Sequence, residues 1–360
     1  MQAIDSVTGL STTGGRDRIR AFDLARGLAI LFMIGVHVLW HWGAPETWGT
    51  PVGVAISLLG GPTAAPTFMF LMGASLAFSR RTDTASLVRR GIWLVVLGYI
   101  LNVLRGVIPA TLGLAAGVVT QDEILPFTPA WLLTSVDIHH MAGLSLITIG
   151  LLRARSAPGP AWLVLGAAVV LAAPTLRGLQ FGTPWLDGPL TPILGSAPNV
   201  FYALVPWVVY PLAGAAFGRI LAASGDRSRT FRRGAVLGAG LLVGGGALLS
   251  WQRPVFDVAT YWREPVSYVV GIMGLVLVWL ALCDAVARRP WIDRRLGIVY
   301  GWSARVIPMY FTHWIVVGWG IGIVGFRDLG LAAVLGAIAA ATAVTHVASG
   351  VTARLEGFRS

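Results

Sequence analysis

Apolar positions gather in ten runs, at roughly 22–42, 52–79, 91–108, 131–152, 161–176, 199–221, 235–251, 265–287, 298–324 and 329–351. Most are long enough to cross a bilayer as a helix. The pattern predicts an all-α, polytopic integral membrane protein with about ten transmembrane helices, since a helix satisfies its own backbone in lipid. In the second run Gly60, Gly61 and Pro62 predict a break, with a short re-entrant piece before it and a span from about Thr63. The fifth run is short and ends near Pro174, as a proline favours.

The first run is not uniformly apolar. Asp23 and Arg26 stand at its start, His37 and His41 near its end. At about 100° per residue these four share a sector roughly 80° wide with Ile30 and Met33. Ionisable groups are costly in lipid, so this face is expected to turn toward protein or water. Arg26 and His37 lie about 16 Å apart along the axis, half a bilayer.

Loop charge sets a sidedness. Arginines crowd the connections holding Arg80, Arg81, Arg89 and Arg90, then Arg153 and Arg155, then Arg219 through Arg233, then Arg288 through Arg295. Arg16, Arg18 and Arg20 precede the first run, and Arg354 and Arg359 end the chain. The alternate connections carry only Arg177, Arg253, Arg263 and Arg327, beside Asp122, Glu123, Asp187, Asp257 and Glu264. That asymmetry predicts an N-in, C-in protein of the cytoplasmic (inner) membrane. Residues 1–19 read as a cytosolic tail with no apolar core, not a separate signal peptide, residues 20–353 as the membrane domain, and 354–360 as a second tail. The outer connections 109–130 and 177–198, rich in Pro, Gly, Thr and Leu, are expected to cover an external mouth.

Composition agrees. The chain of 360 residues is 56% hydrophobic and 12% charged, with mean hydropathy +0.74. A soluble domain of this length would not be solvated. The net charge of +11 is carried entirely by arginine and falls in alternate loops, so it orients the protein and gives no nucleic-acid face. The lone Cys283 excludes an intrachain disulfide. Tryptophans such as Trp40, Trp42, Trp48, Trp131, Trp185, Trp207, Trp251 and Trp262 read mostly as interfacial belts.

Candidate chemistry lies in a few polar side chains. His37 and His41, four apart, present imidazoles on one face; they read as a general base or nucleophile, or as hydrogen-bonded interfacial residues. Asp137 and His140, with His139 between them, form a second group, either a carboxylate orienting an imidazole or a network fixing helix register. His313 lies mid-span with Tyr310 one turn earlier, and His346 reads as structural. Asn102 and Arg105 end the third run, placed to hold a carboxylate or phosphate of a substrate. Asp23 and Arg26 form a charge pair in the simplest reading; in a sharper one Arg26, with Arg80 or Arg305, meets the phosphates of an acyl-CoA. No Walker loop, Gly-x-Ser-x-Gly elbow or His-Glu-x-x-His helix is present, and no metal site is expected. A proton-coupled flippase or secondary transporter could use the same His and Asp residues.

Several segments together resemble one family. RIRAFDLARGLAILFMIGVH (Arg18–His37), TFMFLMGASLAFSRR (Thr67–Arg81), VPWVVYPLAGAAFGR (Val205–Arg219) and IPMYFTHW (Ile307–Trp314) are similar, in order, to segments of transmembrane acyltransferases related to heparan-α-glucosaminide N-acetyltransferase, in a bacterial form. Bacterial membrane sugar O-acetyltransferases share a similar first-helix pattern. The resemblance implies transfer of an acetyl (acyl) group from cytosolic acetyl-CoA to a sugar or glycan acceptor at or across the membrane. It also implies an essential histidine just after the first span. His37 at the span's end is the first choice and His41 the second, with Trp48 near the downstream loop position. Implied partners are the lipid bilayer and the glycan; the sequence leaves a homo-oligomer open.

Overall fold

A computed structural model describes residues 18–155, 159–252 and 265–357. Most of the 1–19 tail, together with Arg16, Arg253, Asp257, Trp262, Arg263, Glu264 and Arg359, lies outside the described residues. The described residues are helical, with no strand and two isolated bridges, Gly43–Leu329 and Val136–Val200. Eight helices are long and apolar enough to cross a membrane. These are α1 (Arg20–Trp42), α2 (Pro51–Phe78), α3 (Thr84–Ala115), α6 (Leu204–Ala223), α7 (Arg227–Trp251), α8 (Val266–Ala287), α9 (Val306–Val324) and α10 (Leu331–Val351). Two shorter apolar helices, α4 (Ile138–Ala154) and α5 (Pro160–Leu176), complete the expected ten apolar segments. The chain is a multi-pass, all-α membrane protein.

The Gly-Gly-Pro break does not interrupt α2. Leu59–Ala64 forms a π-helical stretch inside one continuous helix. Pro62 has no N–H to give, and a wide turn absorbs the missing bond without ending the helix. The glycines serve packing: a Cβ at Gly60 would lie 2.3 Å from Val36 Cβ on α1. Near the C-terminus, the expected tail from 354 is helical as far as Gly357.

α1 is the central element. It packs against α2, α8, α9, α10 and the short helix Gly297–Ala304. Ile30, Ile34, Val38 and Leu39 are fully buried, and Asp23 and Met33 are buried on its polar face, which turns into protein. α7 pairs with α8, and α4 with α3. Val236 and Val243 of α7 are 76% and 75% exposed, as a lipid-facing surface requires.

α2 and α6 meet almost backbone to backbone. A Cβ at Gly214 would lie 1.9 Å from Phe70 O, at Gly218 2.2 Å from Ala74 O, and at Gly73 2.0 Å from Pro211 O. Small residues permit such approach in membranes, where packing drives association. Gly214→Val is therefore expected to force the pair apart at a cost of about 1–3 kcal/mol or more. Thermal unfolding of the detergent-purified protein reads this; an unchanged midpoint would show that the two helices do not touch there.

Outside the membrane, Thr120 and Glu123 close a capping box at the short helix Gln121–Ile124. Hydrogen bonds from the Thr120 N–H and hydroxyl hold the Glu123 carboxyl below its ordinary range.

Candidate functional site

Four helices bring polar side chains to one place near the C-terminal end of α1. His37 of α1 faces His313 of α9, with His37 Nδ1 3.1 Å from His313 Nε2 and the rings 14° from parallel. Trp314 stacks on His37, its ring 4.0 Å away centroid to centroid. His41 meets the same indole edge-on at 5.4 Å. His313 is fully buried, whereas His37 and His41 are partly accessible.

The tautomers follow from the carbonyls. His313 Nδ1 lies 3.3 Å from Met309 O, so it carries the proton and donates it there. His313 Nε2 is then an acceptor, and His37 Nδ1–H donates to it. The lone pair of His37 rests on Nε2, the atom a general base uses. His41 Nδ1, 2.9 Å from His37 O, donates likewise and keeps its own Nε2 lone pair.

Beside this pair stands a buried ion pair. Arg105 Nη1 lies 2.7 Å from Asp137 Oδ2. Arg105 also donates to Asn102 Oδ1 (3.1 Å), and its guanidinium lies 4.0 Å from the centre of the Trp314 ring. Tyr310 OH donates to Asp137 Oδ2 at 3.4 Å. Asn102 in turn donates to Ser135 O and Leu133 O, fastening α3 to the segment before α4.

A second wide turn aims the arginine. Val103–Val107 of α3 is π-helical. Pro109 sits four residues beyond Arg105, where its ring would collide with the Arg105 carbonyl in a regular helix. The wider turn relieves the collision. It also leaves Leu104 O without an i+5 partner, because that residue is Pro109; Trp319 Nε1 of α9 donates to it at 2.9 Å. Gly318 lets α9 approach, for a Cβ there would lie 2.0 Å from Arg105 O.

His140 stands differently from the expected carboxylate–imidazole pair. Its Nδ1 accepts the backbone N–H of Asp137 at 3.1 Å, as the third residue of a capping box. The Asp137 carboxylate goes elsewhere, to Arg105, Tyr310 and the Ile138 N–H. The ring of His140 fills the space over Gly98 and meets Tyr99, away from His37. His139, not His140, points toward α9, 4.4 Å from the Tyr310 ring.

At the opposite end of α1 the expected charge pair is a network. Asp23 takes Arg18 Nε at 2.5 Å and Ser303 Oγ at 3.0 Å, with Arg26 Nη1 3.8 Å away. Arg26 donates to Ser75 Oγ and lies within 3.5 Å of Leu71 O. Gly27 makes room for the helix Gly297–Ala304 that supplies Ser303. Arg305 turns to Ser349 and His346, while Arg80 is exposed. The three arginines thus share an end of the bundle without converging on one point.

Trp314 escaped sequence reasoning although it contacts both His37 and Arg105; its neighbour His313 was the available signal. Ser75 and Ser303 escaped it too, being ordinary small residues in apolar runs. Trp48 caps α1, donating to Leu39 O and Gly43 O at 3.0 and 3.2 Å.

A helical bundle that brings an imidazole pair together between α1 and α9 defines a membrane protein built around an internal polar centre. The family model for heparan-alpha-glucosaminide N-acetyltransferase, catalytic, matches residues 18–251, and the chain belongs to that family. It is a membrane acetyltransferase. No curated protein matches the chain. The family match spans α1 to α7, and His313 enters the site from beyond it.

Proposed function

We propose that the protein moves an acetyl group from acetyl-CoA on the cytosolic side of the inner membrane to a sugar or glycan amine or hydroxyl at or across the membrane. The observation that carries this reading is the His37–His313 pair, whose bonding to Met309 O leaves a lone pair on His37 Nε2. His37 Nε2 takes the proton from the acceptor as its nitrogen or oxygen attacks the thioester carbonyl. The tetrahedral intermediate expels the coenzyme thiolate, the C–S bond breaks, and the imidazolium returns its proton to sulfur. Nδ1, anchored on His313, keeps the ring oriented throughout.

With both termini in the cytosol, the Asp23–Arg26 end of α1 faces the coenzyme and the His37–His41 end the acceptor. Arg80, exposed at the coenzyme end, meets the phosphates, while Arg26 and Arg305 hold the helices that frame them. Asp137 and Arg105 fix α3 and α4 against α9, with Asn102 and Tyr310 completing that wall; His41 stands second to His37, and His140 supports α4.

The experiment is incubation of the protein in vesicles with radiolabelled acetyl-CoA and either methyl α-glucosaminide or membrane glycans. Label in the sugar is the expected result. Sugar that crosses the bilayer unmodified, with no label incorporated, would overturn the reading.

A further inference from the structure

Beyond the imidazoles, the same end of α1 carries an aromatic rim that the chemistry above does not use. The segment 326–329 folds back onto it: Arg327 N–H donates to His41 O at 2.9 Å, and Asp328 and Leu329 N–H to Trp42 O. Arg327 holds φ +59°, a left-handed conformation uncommon for a residue with a long side chain. Its side chain is held as firmly as its backbone. The guanidinium lies over Trp48 at 4.8 Å and Phe326 at 4.9 Å, while Nε donates to Trp40 O at 3.3 Å.

From Phe326 the aromatic contacts continue. Phe127 meets Phe326 at 5.9 Å and Trp131 at 4.9 Å, and Trp131 meets Phe201 at 5.7 Å, all edge to face. Each of these rings is partly accessible, and they come from three separate connections. A lipid belt has independent rings pointing outward; here they interlock and border a cation.

The geometry points to this rim as the acceptor subsite, binding one hexose ring by stacking its C–H face on Phe326 and Phe127 and by giving its hydroxyls the exposed Arg327 guanidinium as donor. A sugar presents just these two surfaces, an apolar face of axial C–H bonds and a periphery of hydroxyls, and amphipathic aromatics with a fixed cation match both. Arg327 N–H is hydrogen-bonded to the carbonyl of His41, one turn from His37, so the rim lies at the same end of α1 as the base. The inference rests on the acetyl-transfer reading for its direction, and on the rim alone for binding.

The test compares the parent chain with Phe326→Leu and Arg327→Gln, both in vesicles. Equilibrium binding of radiolabelled methyl α-glucosaminide is measured without acetyl-CoA, then the KM for each substrate in the transfer assay. Both variants are expected to bind the sugar roughly three- to tenfold more weakly, with the KM for acetyl-CoA unchanged. Leucine keeps the apolar bulk, and an unshifted thermal midpoint establishes that the fold is retained. Sugar binding equal to the parent's, or a parent that binds none, would overturn the subsite. A parent that binds sugar but transfers nothing would overturn the enzyme reading and leave the rim standing.

Discussion

His37→Ala is expected to lower acetyl transfer roughly 10²–10⁴-fold while the protein still inserts in the membrane. The size follows from the loss of a positioned base; the buried His313 Nε2 left without its donor lowers the unfolding midpoint only modestly. The buried partner sharpens the experiment. His313→Leu removes the acceptor for His37 Nδ1–H and frees the ring to take the other tautomer, so activity falls with His37 still present. His313→Gln keeps an acceptor oxygen within reach and is expected to recover a substantial part of it. Transfer rates for the three variants, with and without the glutamine rescue, decide the point. Full activity in His37→Ala would remove this histidine from the mechanism.

The second large effect is on stability. Arg105→Ala leaves the Asp137 carboxylate buried with only Tyr310 and the Ile138 N–H, and Asp137→Ala strands the guanidinium. Breaking a buried pair from one side costs about 3–5 kcal/mol. The double variant is expected to lose much less than the sum, since two residues in one network are not additive. Thermal unfolding in detergent of both singles and the double gives the coupling. Simple additivity would mean that the two charges do not sense each other.

Much of this was legible in the chain. Ten apolar runs predict the ten apolar helices, because a span must be apolar and long. The polar face of the first run is legible for the same reason, since only helix periodicity aligns Asp23, Arg26, His37 and His41. What pairs across helices was not. Nothing local says that His313 lies 3.1 Å from His37, 276 positions away, or that Trp314 lies against Arg105. The Asp137–His140 spacing left two readings, and the network that fixes the helix start is the one found: three residues apart is also the spacing of a capping box, and the backbone N–H won the imidazole. The Gly60–Pro62 break misled, because a proline inside a helix can be absorbed as well as obeyed.

The wide turn at Val103–Val107 reaches further than the arginine it contains. One surplus residue advances the azimuth of everything after it by about 100°. Arg105 stands inside that turn and Pro109 just after it, so excising a single residue would only set the proline ring against another carbonyl four residues back. The proline thus writes the irregularity into the covalent chain, and the arginine rides on it.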